Sequence, residues 1–226
     1  MRLQIAYFWK IKMAKLYGVP GSPFVRKTRV ALALKKIPYD LELVIPFQVS
    51  DDYKKISPLG KIPALRIDGI DIPDSSVICA YLEKKYPTPA LYPQIPADYA
   101  KALWLEEYTD TAVSTVITGR IFIPQMIAPA LMGRPADEQA IRKALMEDLP
   151  PLCAYLETQI GGETIFNDHF SIADISIVSQ FVNLYAAEHE IDQKRFPNLE
   201  YYIRHHMAGP YFADLLEEEK AFMMGL

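Results

Sequence analysis

The stretch from Ser57 to Ser76, SPLGKIPALRIDGIDIPDSS, constrains the fold of this chain more than any other. Ala64-Leu65-Arg66-Ile67 and Ile70-Asp71-Ile72 read as two short strands around Asp68-Gly69, a hairpin signal because glycine accepts positive φ. Pro63 heads the first strand, and proline, lacking an N–H, is tolerated in a sheet only at an edge or a strand start. A cis Ile62–Pro63 bond would turn the Ile62 N–H and C=O outward, where an extended peptide can pair with them. Behind the hairpin, Asp74-Ser75-Ser76 precedes the helix-like run Val77-Ile78-Cys79-Ala80-Tyr81-Leu82. Ser or Asp there is an N-cap, and the free N–H groups of a helix start form an anion site. An exposed main-chain edge beside a carboxylate-binding helix start suits a small anionic peptide. Each half alone is ordinary turn and cap chemistry.

Upstream, Lys15-Leu16-Tyr17-Gly18-Val19 is a strand candidate that Pro20-Gly21-Ser22-Pro23 interrupts. Ser22 stands as an N-cap with Pro23 at the first helical position, where its missing donor costs nothing. The pattern predicts a helix through about Lys36, with Val25, Val30, Ala31, Leu32 and Leu34 on its apolar side and Pro38 ending it. Tyr39, Leu41, Leu43 and Ile45 alternate with Asp40 and Glu42, a period of two that marks a strand. A short helix over Asp51 to Ile56 precedes the hairpin, and another runs from Ser75 to Tyr86. The order β-α-β-α-β-β-α describes a mixed α/β unit.

Pro87, Pro89, Pro93 and Pro96 then fall within ten residues, a spacing that suits neither helix nor central strand and reads as a linker. Beyond it the pattern is helical. A long helix is expected from Tyr99 to Thr118, with Leu103, Trp104, Tyr108 and Thr111 on one side, weakening at Gly119 and Pro124 and stopping by Pro129. A second starts near Asp137. Pro150 and Pro151 kink or divide it before Leu152 to Ile160, and Gly161-Gly162 ends it. Ser171 and Asp174 have capping-box spacing, and Phe170 can staple to Ile175. Pro197 opens a helix toward His206, and Pro210 another toward Lys220. The expected division is an N-terminal extension over 1–13, an α/β domain over 14–88, a linker over 89–97 and an all-α domain over 98–226.

With 226 residues, half of them hydrophobic, and a net charge of −4, the chain can bury a full core and shows no basic stripe for nucleic acid or polybasic run for a membrane surface. Leu3 to Trp9 is apolar but short and lacks a small-residue cleavage site, so neither a signal peptide nor a span is expected there. Met13-Ala14-Lys15 reads like a start. Cys79 and Cys153 each sit in an apolar helical pattern and read as buried thiols of a reducing, cytoplasmic compartment. His169, His189, His205 and His206 lack ligand spacing, so no metal site is expected. Nucleotide loops and the GxSxG elbow are absent from the sequence.

The stretch around Pro63 and Asp74-Ser75, with Gly21-Ser22-Pro23-Phe24 and Arg29-Val30 upstream, resembles the soluble glutathione transferases of serine type: the phi, tau and theta groupings and their bacterial relatives. Ser57 stands for the family's usual Asn and Asp74 for the commoner Glu. The resemblance implies a thioredoxin-like N-terminal domain followed by an all-helical domain, glutathione as co-substrate with no prosthetic group, and a homodimer. It makes Ser22 the catalytic candidate, its hydroxyl donating to the glutathione thiolate; Tyr17, in the first strand, is the rival for that hydrogen bond. Ile62, after which Pro63 is the cis-proline, would pair with the cysteinyl main chain. Asp74 would meet the γ-glutamyl ammonium, and Ser75 its carboxylate. Lys61, unless merely solvated, would neutralise the glycyl end. Gln48 stands near a position where members often carry His or Lys and offers a neutral amide. Tyr108, Thr111 and Thr115 are candidates for the pocket of a small hydrophobic electrophile. The Ser-Ser-Cys signature of the zeta type is absent. Three outcomes are open: transfer to apolar electrophiles, a glutathione-dependent isomerisation or dehalogenation on the same site, and a non-catalytic glutathione- or partner-binding module.

Overall fold

In a computed structural model, the structure of the protein describes residues 13–166 and 169–225. The extension expected over 1–13 lies, apart from Met13, outside the described residues. Four strands form one sheet in the order β2-β1-β3-β4: β1 is Ala14–Gly18, β2 Tyr39–Leu43, β3 Ala64–Ile67 and β4 Ile70–Pro73. β1 pairs with β2 in parallel, and β1–β3 and β3–β4 are antiparallel. Helices α1 (Pro23–Leu34), α2 (Asp51–Ile56) and α3 (Ser75–Lys85) complete the expected thioredoxin-like layer.

The hairpin turn has φ of +54° at Asp68 and +84° at Gly69, the left-handed pair that matches strand twist. Across it Arg66 and Asp71 make a two-pronged ion pair at 2.6 and 2.9 Å. The alternation along β2 does not translate into burial. Leu43 and Ile45 are exposed, because β2 is an edge strand with little packed over its end. Helix α1 stops at Leu34, two residues short of the expected end, and Lys36 turns to φ +54° before Pro38 can act.

Nearly all of α1 is buried, its cations included. It lies between α3 and a central helix, Ile172–Ala186, whose flanks carry no exposed residue from Ile172 to Leu184. Arg26, Lys27 and Arg29 are each at most 5% exposed. A buried cation costs several kcal/mol unless it is paired, so each has acquired acids from distant helices. Arg26 pairs with Glu219, Arg29 with Glu218, and Lys27 with Asp110 at 2.5 Å. These pairs bolt α1 to the C-terminal helix Ala213–Met223 and to the first long helix of the second half.

That long helix runs from Pro96 to Met132, well past Thr118, Gly119, Pro124 and Pro129. Its turns widen to π-helical over Thr109–Val113 and again over Ile117–Ile127, which contains Pro124. A wide turn relaxes the i→i−4 ladder that proline breaks, so the ring is absorbed. Pro129 enters the first turn of the last regular segment, and Gly133 closes it at φ +61°. Length and hydropathy alone would let this helix cross a bilayer, but its face at Ala102, Leu105, Thr109, Val113 and Ile117 packs into the core along the central helix. The helical run 138–159 repeats the device. π turns at Ala144–Asp148 come just before Pro150 and Pro151, which sit in the first turn of Leu149–Gln159. Helices Pro197–Met207 and Ala213–Met223 follow.

The capping box closes as expected. Both the N–H and the hydroxyl of Ser171 donate to Asp174 Oδ2 at 2.7 Å, while Asp174 Oδ1 accepts from the Ile165 N–H at 2.9 Å and the Tyr202 hydroxyl at 2.7 Å. Phe170, just before it, stacks on Tyr211 and lies against His206.

Candidate functional site

One cavity of about 740 Å³ opens along the seam between the sheet-bearing half and the helical half. Its polar flank is built from three turns. The first is Pro20-Gly21-Ser22, where Gly21 holds φ +85°, a conformation that L side chains rarely adopt, beside the sulfur of Met223. Ser22 caps α1: its Oγ accepts from the Val25 N–H at 3.4 Å, and its own proton is given to no group among the described residues. Helix α1 has no acid in its first turn, so the positive end of its dipole faces the cavity unopposed.

The second turn is the approach to the cis Ile62–Pro63 bond. Lys61 C=O is pinned by the hydroxyls of Tyr53 and Ser57, both at 2.8 Å, so Ser57 has a structural use in this loop. Burial pushes the Tyr53 phenol up to about 12, which keeps it a neutral donor. Among the described residues, neither the N–H nor the C=O of Ile62 has a hydrogen-bond partner. The third turn is Asp74, which caps α3 from φ +77°, a strained value for a side-chain-bearing residue. Asp74 Oδ1 accepts from the N–H groups of Ser76 and Val77 at 2.9 and 3.2 Å, whereas Ser75 takes no part in the cap.

Behind this flank Lys27 Nζ donates to Ser76 Oγ at 2.9 Å and to Asp110 Oδ2. Lys27 Nζ is also 2.6 Å from Glu106 Oε1, at an angle that leaves this oxygen without a hydrogen-bond donor. Burial opposes the charge on Lys27, but Asp110 and Glu106 outweigh it and hold the lysine above its ordinary pKa. Glu106 is raised, by burial first, with Lys27 working against the shift. The opposite flank is apolar: Phe24, Phe122, Ile123, Ile127, Leu131, Phe222 and Met223. Among the described residues, Lys61 is the one cation on the wall.

Of the residues singled out from sequence, Ser22, Lys61, Ile62, Asp74, Ser75 and Thr111 share this wall. Pro63 is buried behind it, and Gln48 sits in the exposed turn after β2, next to Phe47, which does reach the cavity. Tyr108 turns away to an aromatic cluster, 4.7 Å from the Tyr155 ring and 5.8 Å from that of Trp104. Thr115 bonds back to the Thr111 C=O at 2.6 Å and stays outside the cavity. Tyr17 is buried in the sheet against Tyr53 and is not part of the cavity wall.

Residues 16–90 match the family Glutathione S-transferase, N-terminal domain. Over 194 residues the chain is 30% identical to a probable maleylacetoacetate isomerase of Drosophila melanogaster, covering 81% of this chain and 73% of that one. The chain belongs to the glutathione S-transferase family. A glutathione S-transferase from Rhodospirillum rubrum superposes with a TM-score of 0.82 at 25% identity, over 90% of this chain and 91% of that one. Another from Methylobacterium radiotolerans, solved in complex with glutathione sulfonate, gives 0.74 at 27% identity over 91% and 95%.

Within this glutathione S-transferase, four features of the site escaped the sequence reading. Lys27 and Asp110 look like solvated charges in a helical pattern, and only their mutual burial reveals them. Asn183 and Met223 come from helices far along the chain, and no local motif ties them to Ser22. The one usable signal was the density of cations between Arg26 and Arg29 inside an otherwise apolar helix. Such a run on a buried face demands acids elsewhere.

Proposed function

We propose that this protein transfers the thiolate of glutathione to small, uncharged, apolar electrophiles. One observation carries the reading: among the described residues, a serine hydroxyl with its proton free, at an unopposed helix N-terminus, shares a wall with the unpaired Ile62 main chain and the Ser75 helix start. The Ile62 N–H and C=O suit the cysteinyl main chain. Ser75 and the α3 N-terminus suit the γ-glutamyl carboxylate, and the second oxygen of Asp74 suits its ammonium. Lys61 lies where it can meet the glycyl carboxylate.

Since no group among the described residues accepts the Ser22 proton, Ser22 acts as a donor. A free thiol has a pKa of about 8.5, and a helix N-terminus with one hydrogen bond lowers it by a unit or more. One unit is worth about 1.4 kcal/mol, the size of a charge-assisted hydrogen bond. The sulfur then forms a bond to an electrophilic carbon, and the leaving group departs with its electron pair. The apolar flank receives the rest of the electrophile. The working form is proposed as a cytoplasmic homodimer, which suits two buried free thiols, Cys79 and Cys153.

A second reading, glutathione-dependent isomerisation, draws on the Drosophila relative's name. Maleylacetoacetate carries two carboxylates, however, and among the described residues Lys61 is the single cation on a wall that also presents Asp74, Glu107 and Asp110. That balance favours uncharged substrates. The test is conjugation of an activated aryl halide, run beside maleylacetoacetate isomerisation, on the wild type and on Ser22→Ala. Conjugation that drops about tenfold or more in Ser22→Ala, with retention on immobilised glutathione intact, supports the transferase reading. Isomerisation outrunning conjugation reverses the order of the two.

A further inference from the structure

We infer that Asn183 is the positioning residue for the Ser22 hydroxyl, an inference that rests on the transferase reading above. Asn183 belongs to the central helix of the second half and is 0% exposed, with one edge on the cavity wall. A buried amide in an apolar helix is destabilising unless both ends are satisfied. Here both are. Its Nδ2 donates to the Gly21 C=O at 3.1 Å, and its Oδ1 accepts from Arg26 Nη1 at 2.9 Å. A carbonyl on one side and a guanidinium on the other fix which end of the amide is which.

The Gly21 carbonyl belongs to the peptide plane that leads into Ser22. Holding it sets the rotation of that plane and with it the direction of the Ser22 side chain. The turn's own tie is weak, a Ser22 N–H to Val19 C=O bond at 3.4 Å. Arg26 is in turn fixed by Glu219 Oε2, 2.9 Å from its Nε, and by the Ser179 C=O. The serine is thus aimed by a chain of hydrogen bonds drawn from two helices of the other half. Only an asparagine-like group, donor at one end and acceptor at the other, can bridge a carbonyl and an arginine.

Asn183→Asp tests this, because it keeps the shape and the Arg26 partner while setting an oxygen against the Gly21 carbonyl. The expected result is an apparent pKa for turnover about one unit higher, about tenfold lower kcat at neutral pH, and a little-changed KM for glutathione. Combined with Ser22→Ala, it should add no further loss, since it acts through that hydroxyl. A folded Asn183→Asp with an unshifted pH profile, or losses that multiply in the double variant, overturns the assignment. If the aspartate variant does not fold, Asn183→Ala carries the same two readouts. Wild-type turnover in Ser22→Ala would instead overturn the transferase reading itself. Impairment there with normal Asn183 variants removes only the positioning role.

Discussion

Ser171 and Ser22 each cap a helix, and these two serines have opposite fates. Ser171 is 0% exposed; its Oγ accepts from the Ala173 N–H and gives its proton to Asp174. Ser22 is half-buried, accepts a long bond from Val25, and gives its proton to no group among the described residues. The third helical residue makes the difference: Asp174 closes the first box, and Val25 leaves the second open. The Ser171 cap, with its local acid, fastens the fold, whereas the Ser22 cap leaves its hydroxyl facing the cavity.

The strongest way to break this contrast is Asp174→Ala. It orphans the Ile165 N–H, both donors of Ser171 and the Tyr202 hydroxyl. Each unsatisfied buried donor costs about 1–3 kcal/mol, so a loss of about 4 kcal/mol or more is expected in a urea titration. A loss under about 1 kcal/mol would mean that the box holds nothing together. Tyr202→Phe removes one of those donors without orphaning the other three and should cost about 1–2 kcal/mol by the same measurement. Ser22→Ala should fall at the bottom of the usual range for a lost cap, about 0.5 kcal/mol, because its 3.4 Å bond is long. Equal destabilisation by Ser22→Ala and Ser171→Ala in thermal melts would erase the distinction.

The smallest effect expected is on pH. Burial holds His206 below its ordinary 6.5, with Asp174 pulling upward and His205 downward; its Nε2 lies 2.7 Å from the Glu163 C=O. The unfolded chain therefore binds this proton at a higher pH than the folded one. The stability tied to the neutral ring is present above 6.5 and drains as the pH falls through that value toward the lower folded one. His206→Asn should flatten that part of the stability–pH curve, measured by denaturant midpoints. A curve of unchanged slope would remove His206 from the fastener.

Local chemistry was the legible part. The Asp68-Gly69 turn, the Asp74 cap, the Ser22-Pro23 helix start and the Ser171–Asp174 box all depend on residues within a few positions of each other, so the sequence displays them whole. The long helix was misjudged because proline is a reliable stop only where turns stay narrow, and Pro124 sits where they widen. Beyond the density of cations in α1, the burial of Arg26, Lys27 and Arg29 left no trace, since their acids lie 79 or more positions away and periodicity assigns charged side chains to solvent. Tyr108 and Thr115 were chosen by helical spacing, which cannot say which side of a helix another element will cover. The apolar flank was unreadable for the same reason, being assembled from residues as far apart as Phe24 and Met223.

Phe222 and Met223 close the wall that Val19 begins. During synthesis, the polar flank can take shape once the first third of the chain has left the ribosome. The apolar panel at Phe222 and Met223 is translated much later, and Arg26 waits 193 positions for Glu219. A nascent chain stalled before the helix Ala213–Met223 would hold a lopsided basin, open to water where Phe222 and Met223 belong.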